Sequence, residues 1–454
     1  MDISIADSQP SIDPRALPTQ GKIDIKRIAR LSNKLNTLVE RIKTQAFLPA
    51  GGKVPPSFNQ AQLAALCRLN KSSIIRKLAK AEELGLPLGT AATAHKDDED
   101  DESDDDTIAS DNGASVSVAA NSTNSPSSKR RTWSLAEARQ WARACSVPYK
   151  RPPGVPGAVI TIANFKGGVG KTFTSMSLAQ GLSLMGYKVL AIDVDPQGSM
   201  TSLFGILPTD VEDEMTILPM MLPPMDKKGV KTPGARPGIK ESIRKTYWDG
   251  LDLVAGSRGL FSGEFYLPSR QLSRDEANFD FYEVLNRSLD DGTRMEYDFI
   301  IIDTMPALSY LTMNTLWAAD AVLMPLPPEG LDIASSSQFW SMFTDLAEAM
   351  PNEKTFHFIG VLPSKVDHAK GHTKSLLRWI QAGYEDFVLP VEIPVTQVVS
   401  MGGTELRTVF DITKYVGATK TYSRAREAYD KLVAEIDHLT RQTCWNHSTQ
   451  GEKS

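Results

Sequence analysis

The sequence predicts an α/β protein built on a mostly parallel twisted sheet flanked by helices, with a small all-α helix-turn-helix domain ahead of it. Three observations carry that prediction. Val159-Ile-Thr-Ile-Ala-Asn164 alternates β-branched residues as a buried strand does, and a glycine-rich loop and a helix-period segment, Thr174–Met185, follow it directly, with Gly186 closing the helix. Val189–Ile192 and the run within Tyr297-Asp-Phe-Ile-Ile-Ile-Asp303 are wholly apolar, as parallel strands buried on both faces are, and each ends on an aspartate. Residues 58–87 hold two short helical patterns separated by a turn.

From the N-terminus, residues 1–21 form a proline-containing tail of low hydrophobicity that reads as disordered. Residues 22–90 form the helical N-terminal domain. Within it, 22–47 is helical, and Ile28, Leu31, Leu35, Leu38 and Ile42 repeat with coiled-coil spacing. Two heptads are too few to pair alone, so that face serves either dimerisation or packing on its own domain. Asn59–Cys67 is the first helix of the helix-turn-helix, Arg68-Leu-Asn70 the turn, and Lys71–Lys80 the second helix. Ile74, Ile75, Leu78 and Leu84 are placed to face the core. Lys71, Ser72, Ser73, Arg76, Lys77 and Lys80 are placed to meet DNA bases and phosphates, although any small helical hairpin can show this polarity.

Residues 91–131 are Ala-, Asp- and Ser-rich and read as a disordered linker. Asp97 through Asp106 are all acidic except Ser103, a solvated spacer or a mimic of DNA phosphate that competes for the protein's own basic surfaces. Residues 132–152 hold a short helix and connector, started by the Ser134-Leu-Ala-Glu137 capping box and carrying Trp141. Residues 153–445 form the main domain, which includes a long insert with a short strand at Gly250–Ala255, and 446–454 form a tail.

The chemistry lies in Phe165-Lys-Gly-Gly-Val-Gly-Lys-Thr172. Glycines at 167, 168 and 170 let the backbone turn its N–H groups toward a polyphosphate, Lys171 supplies a point charge to the outer phosphates, and Thr172 offers a hydroxyl to Mg²⁺ where a helix begins. The strict motif starts with glycine; here Phe165 stands in that place and a second lysine, Lys166, follows it. In this deviant Walker A form, and in the order of the elements after it, the chain resembles the ParA/MinD/nitrogenase-iron-protein ATPases. It is most similar to plasmid-partition ParA proteins of the long class, including those of replication-partition operons.

That resemblance implies an ATPase with Mg²⁺ as cofactor. Lys166 reaches the partner subunit's nucleotide, Asp195 orients or deprotonates the attacking water, and Asp303 is the Walker B carboxylate holding the metal through water. Asp193 supports the metal or the loop. Nucleotide contacts fall on Lys166, Gly167, Gly168, Val169, Gly170, Lys171, Thr172 and Phe173, and the base pocket on Lys365 and Pro394. Two departures stand out: Thr304-Met305-Pro306 replaces the family's paired prolines, and Phe173 replaces a second threonine that contacts the inner phosphate.

The partners implied are a second copy of the chain, a centromere-binding ParB/RepB-like protein, and DNA, bound nonspecifically on the nucleoid and specifically at an operator. An ATP-gated repressor is the alternative. A MinD-like membrane ATPase is disfavoured, because residues 443–454 contain no basic amphipathic helix. Composition agrees with a cytoplasmic protein. No apolar run approaches the roughly 18 residues of a membrane span, and the N-terminus lacks a signal peptide's basic and apolar regions. Cys67, Cys145 and Cys444 make neither a zinc pattern nor a disulfide framework, which weighs against an iron-sulfur ATPase. Net charge is −5, but without the acidic tract the rest carries +4, compatible with nucleic-acid binding. Arg407, Lys414, Lys420, Arg424 and Arg426 gather near the last helix, either a solvated face or a nonspecific DNA patch, while Tyr429, Leu432, Val433, Ile436 and Leu439 form that helix's packed side.

Overall fold

The computed structural model describes residues 25–42, 52–91, 131–145, 151–223, 238–273, 279–289, 292–396, 406–412 and 419–445. The expected tails and linker, and Lys414, lie outside these residues. The chain divides into two compact units, Met1–Gly52 and Lys53–Ser454. The first contains the helix Ile25–Ile42, on which Ile28, Leu31 and Leu35 are each more than half exposed. The side chains of Leu38 and Ile42 are outside the described set.

In the second unit the sheet is as the apolar strands predict. Its strands are β4 (Ala158–Ile162), β5 (Val189–Asp193), β6 (Arg244–Lys245), β7 (Leu251–Val254), β8 (Phe299–Asp303), β9 (Ala321–Leu326) and β10 (Phe358–Pro363), in the order β10-β9-β4-β8-β5-β7-β6. Every neighbouring pair is parallel except β6 with β7. Strands β4, β5 and β8 are buried at every residue, which explains their lack of a polar alternate face. Register places Ile162 opposite Asp303 and Asp303 opposite Asp193. The carboxyl ends of the three central strands therefore open at one crevice, where parallel α/β sheets bind ligands.

The helix after β4, Lys171–Leu184, is buried almost throughout, because its small and apolar residues are covered by the sheet on one side and by the C-terminal helix Thr419–Thr443 on the other. Tyr429, Leu432, Val433 and Ile436 are buried there and Leu439 packs at the edge. Gly181 permits this approach, since a Cβ at that position would lie 2.3 Å from Val433 Cγ2.

The small domain is not all-α. Strands β1 (Ser57–Asn59), β2 (Thr90–Ala91) and β3 (Arg131–Ser134) form an antiparallel sheet in the order β1-β3-β2, against which the helix Gln60–Leu66 packs, and the helix Lys71–Leu78 packs against Gln60–Leu66. Because Thr90 pairs with Thr132 and Ala91 with Arg131, the segment expected to separate two domains instead joins neighbouring strands of one sheet. The domain continues through β3 into the helix Leu135–Cys145. Trp133 and Trp141 are fully buried with Leu63 and Ile74, and both indoles donate to the Pro87 carbonyl. The Ser134–Glu137 capping box forms as predicted, and Asn59 and Asn70 cap the two helices of the hairpin.

Two expected core residues are not in the core. Ile75 and Leu84 are 47% and 52% exposed, whereas Ile74 is fully buried and Leu78 packs at the margin. A two-turn helix has room for one inward row, and Ile74 takes it.

Lys53 ties the start of the second unit to its centre. Its Nζ donates to the Leu203 carbonyl at 2.6 Å, Tyr247 Oη at 3.1 Å and Asp411 Oδ2 at 3.0 Å, and Gln180 Nε2 donates to Asp411 Oδ1 and Tyr247 Oη. Both ions are nearly buried, with side-chain exposures of 9% and 5%. Breaking such a pair leaves an uncompensated buried charge, so Asp411→Ala should cost about 3–5 kcal/mol in a urea titration. A second buried lysine gives a pH signature. Lys354 donates to the Trp317 and Ala319 carbonyls, and burial lowers its pKa to about 8 from 10.5. Between those values the unfolded chain holds the proton and the folded one does not, so stability should rise as pH climbs from about 8 to 10.5. Unfolding midpoints across this range should show the rise in the wild type and less of it in Lys354→Met.

Candidate nucleotide site

The loop after β4 runs from Ala163 to Gly170, and its glycines meet a conformational need. Gly168 and Gly170 have φ of +75° and +100°, and a Cβ at either would touch nothing within 4 Å. It is backbone conformation, not crowding, that requires glycine here. The loop is tied down from three sides: Asn164 Nδ2 donates to the Pro325 carbonyl, the Lys166 N–H donates to Asn164 Oδ1, and Ser364 Oγ donates to the Val169 carbonyl.

Below it lies a cleft of about 600 Å³, lined by Gly167, Gly168, Gly170, Lys171, Thr172, Phe173, Asp195, Thr304, Pro306 and Lys365 among others. Lys171 is 6% exposed and its Nζ donates to the Lys166 carbonyl at 3.0 Å. Burial lowers its pKa, while Asp303 and Asp195 oppose that shift. A desolvated cation held by a carbonyl beside open backbone N–H groups is set to receive an anion.

Asp303, at the end of β8, is fully buried. Ser175 Oγ donates to its Oδ1 at 2.8 Å and the Thr172 hydroxyl lies beside it, while Oδ2 is buried with no hydrogen-bond partner among the described residues. Burial pushes its pKa up to about 6. An unsatisfied buried carboxylate oxygen beside a threonine hydroxyl suits a cation or its water. Among the described residues no three His, Cys, Asp or Glu side chains form a metal cage, so a cation there would depend on a ligand for further oxygens.

The two aspartates at the end of β5 and just past it are placed differently. Asp193 is fully buried: its Oδ2 accepts from the Thr201 N–H and hydroxyl, and its Oδ1 from the Asp195 N–H. These bonds tie it to the 195–201 loop, and it is not among the lining residues. Asp195 lines the cleft, its Oδ1 accepting from the Gln197 N–H at 2.8 Å.

Lys166 Nζ pairs with Asp332 Oδ2 at 2.8 Å. Asp332 is buried in the first turn of the helix Gly330–Glu348. Sequence reasoning did not single out this carboxylate; an acid in a helix's first turn was the available signal. Ser175, Thr201 and Ser364 were missed as well, because only tertiary contact reveals them. Of the two base-pocket residues, Lys365 lines the cleft with φ of +52°, whereas Pro394 is bridged to the adjacent Val366 and does not line it.

The predicted DNA-facing residues are distributed as follows. On the second hairpin helix Lys71, Ser72, Arg76 and Lys80 are exposed and Ser73 and Lys77 half-buried. Arg407, Lys420 and Arg424 are exposed near or on the C-terminal helix, and Arg424 donates to the Val395 carbonyl.

Comparison with known proteins decides the family. A model described as an AAA domain matches residues 157–356, from β4 to the edge of β10. The chain is 31% identical to a protein named replication protein A from Rhizobium rhizogenes, over 67% of this chain and 73% of the relative. It is 27% identical to the chromosome partitioning protein ParA of Caulobacter vibrioides, over 62% of this chain and 94% of the relative. The chain belongs to the ParA family of partition ATPases. A solved structure described as a partition protein shares the fold, with a TM-score of 0.57 and 17% identity over 92% of this chain and 99% of that one. Within the ParA pattern Phe173 takes on a packing role, since its ring lies against Tyr429 of the C-terminal helix, with centroids 5.6 Å apart, while still lining the cleft. No described helix of this ParA-family chain is long and apolar enough to cross a membrane.

Proposed function

We propose that this ParA-family ATPase is a nucleotide-gated DNA-binding switch for plasmid or chromosome partition. ATP with Mg²⁺ drives two subunits together, the dimer holds nucleoid DNA without sequence preference, and hydrolysis, stimulated by a centromere-binding ParB/RepB-like partner, releases it. The observation that carries this reading is the pairing of a two-lysine phosphate loop with the unsatisfied Oδ2 of Asp303 at the same crevice. Those residues fit a metal-bound polyphosphate.

Mg²⁺ bound with the nucleotide supplies charge neutralisation at the phosphoryl oxygens. The chain's residues supply the rest, mainly positioning. Backbone N–H groups of 167–172, Val169 included, cradle the phosphates, and Lys171 exchanges the Lys166 carbonyl for a phosphate oxygen. Thr172 and Asp303 orient the metal, and Asp193 fixes the loop that aims Asp195 at the attacking water. Lys166 leaves Asp332 and crosses to the partner subunit's nucleotide. Phe173 and Lys365 bound the nucleoside end, with Pro394 supporting Lys365 through its bridge to the adjacent Val366.

DNA contact falls on the exposed cations Arg407, Lys420 and Arg424 and on Lys414, which lies outside the described residues. The sheet-backed hairpin favours a second activity. Its helix Lys71–Leu78 offers Lys71, Ser72, Ser73, Arg76, Lys77 and Lys80 to an operator, and such a contact would survive competitor DNA where a phosphate-only contact would not. The test is binding to random-sequence DNA with ATP or ADP, comparing wild type with Lys166→Ala and Lys171→Ala. Binding by wild type with ATP alone, and by neither variant, supports the switch. Binding that ignores nucleotide and follows sequence would make the chain an operator-binding repressor with a regulatory ATPase domain.

A further inference from the structure

The fold joins two cysteines that are distant in the sequence. Cys67 ends the helix Gln60–Leu66 at the start of the turn, and Cys145 ends the helix Leu135–Cys145. The helices that carry Cys67 and Cys145 pack on one another, which brings the two thiols near enough to perturb each other's ionisation. Both are free, Cys67 buried and Cys145 half-buried. They open on one cavity of about 570 Å³, which Arg68 and Arg143 also line. The cavity's other arginines, Arg151 and Arg441, pair with Asp298 and Asp437. Arg68 and Arg143 are in no ion pair among the described residues. A thiol pair beside two uncommitted guanidiniums, in a space that admits a small molecule, has the parts of a thiol-exchange site.

We propose that Cys145 is a modification site for anionic low-molecular-weight disulfides, docked through their carboxylates by Arg68 and Arg143, and that Cys67 resolves the mixed disulfide into a Cys67–Cys145 bridge. In the first step the Cys145 thiolate attacks one sulfur of the incoming disulfide. Its S–S bond breaks, a mixed disulfide forms on Cys145, and the expelled thiolate takes up the proton that Cys145 gave up. In the second step Cys67, losing its proton, attacks the Cys145 sulfur, and the remaining small thiol leaves protonated. Two protein thiols lose two electrons in all, and one external disulfide becomes two thiols.

The order of attack follows from the surroundings. Cys145 is half-buried and meets the incoming disulfide first, whereas Cys67 is buried. A reducing cytosol keeps both as thiols, so the bridge would form under oxidative load. It would fasten the turn of the hairpin to the helix Leu135–Cys145, which is itself held to the P-loop helix by Arg139 donating to the Ser183 carbonyl.

The full-length protein is treated with oxidised glutathione and mapped by peptide mass spectrometry. Wild type should form the Cys67–Cys145 bridge, and Cys67→Ser should instead accumulate glutathione on Cys145. Cys444, whose thiol burial pushes up to about 12, should stay unmodified. The double variant Arg68→Ala/Arg143→Ala should react about fivefold more slowly with oxidised glutathione and at an unchanged rate with uncharged hydroxyethyl disulfide. Modification of Cys444 as fast as Cys145, or absence of the bridge in folded wild type, would overturn the site. Equal slowing toward both reagents would overturn the docking role of the arginines.

Discussion

Lys171→Ala should lower ATP turnover by about 10²–10³-fold, the range for removing one preorganised charge from a phosphoryl-transfer site. Lys171 is almost fully buried, its charged form is disfavoured by burial, and among the described residues its Nζ has only the Lys166 carbonyl as hydrogen-bond acceptor. The cation is therefore a cost to the empty fold and a gain to the liganded one. The same variant should keep or raise the thermal midpoint of the nucleotide-free protein while losing the midpoint increase that ATP gives wild type. Phosphate release and thermal melts with and without nucleotide read both effects. A variant that lost activity because it unfolded would show the opposite pattern, a lower midpoint without nucleotide.

Lys166→Ala should be at least as damaging to turnover, by about 10³-fold, the lower end for a cation supplied in trans to a transferring phosphoryl group. Nucleotide affinity of the isolated subunit should change little, because in this conformation Lys166 Nζ is committed to Asp332 at 2.8 Å. Asp332→Ala should act in the other direction. The lysine is 41% exposed, so the contact resembles a surface pair more than a buried one, and releasing it should raise basal turnover by about fivefold at most. Steady-state rates of the three proteins separate these effects, and a fall in Asp332→Ala would mean that the carboxylate supports the lysine instead of restraining it.

The main domain was legible because its strands are unbroken apolar runs and its loop is written in glycines and lysines whose chemistry is local. Strands β4, β5 and β8 were found to within a residue or two, and Lys171, Thr172, Asp195 and Lys365 do line one cleft. What escaped depended on tertiary pairing. Strand β2 is two residues long, and its partner β3 lies across a polar segment; nothing in Thr90–Ala91 or Arg131–Ser134 announces that they meet. The segment between them lies outside the described residues, and the pairing of the two pieces that it connects was not legible. Ile75 looked like core by hydropathy and is exposed because its neighbour Ile74 fills the inward row. The partner of Lys166, the packing role of Phe173 and the meeting of Cys67 with Cys145 are likewise contacts between distant parts of the chain, invisible to periodicity or motif spacing.

The central claim is that each site is completed by the lysine of the other subunit, and mixed dimers test it most directly. Lys166→Ala retains Asp195 but offers its partner no lysine; Asp195→Ala offers the lysine but cannot align water. Neither should hydrolyse ATP at more than a trace of the wild-type rate alone. Mixed in equal amounts, they should regain turnover well above either, because in a mixed dimer the Lys166→Ala subunit receives Lys166 from its partner. Turnover that stays at the average of the two separate variants, with dimers present in the sample, would contradict a lysine acting across the interface.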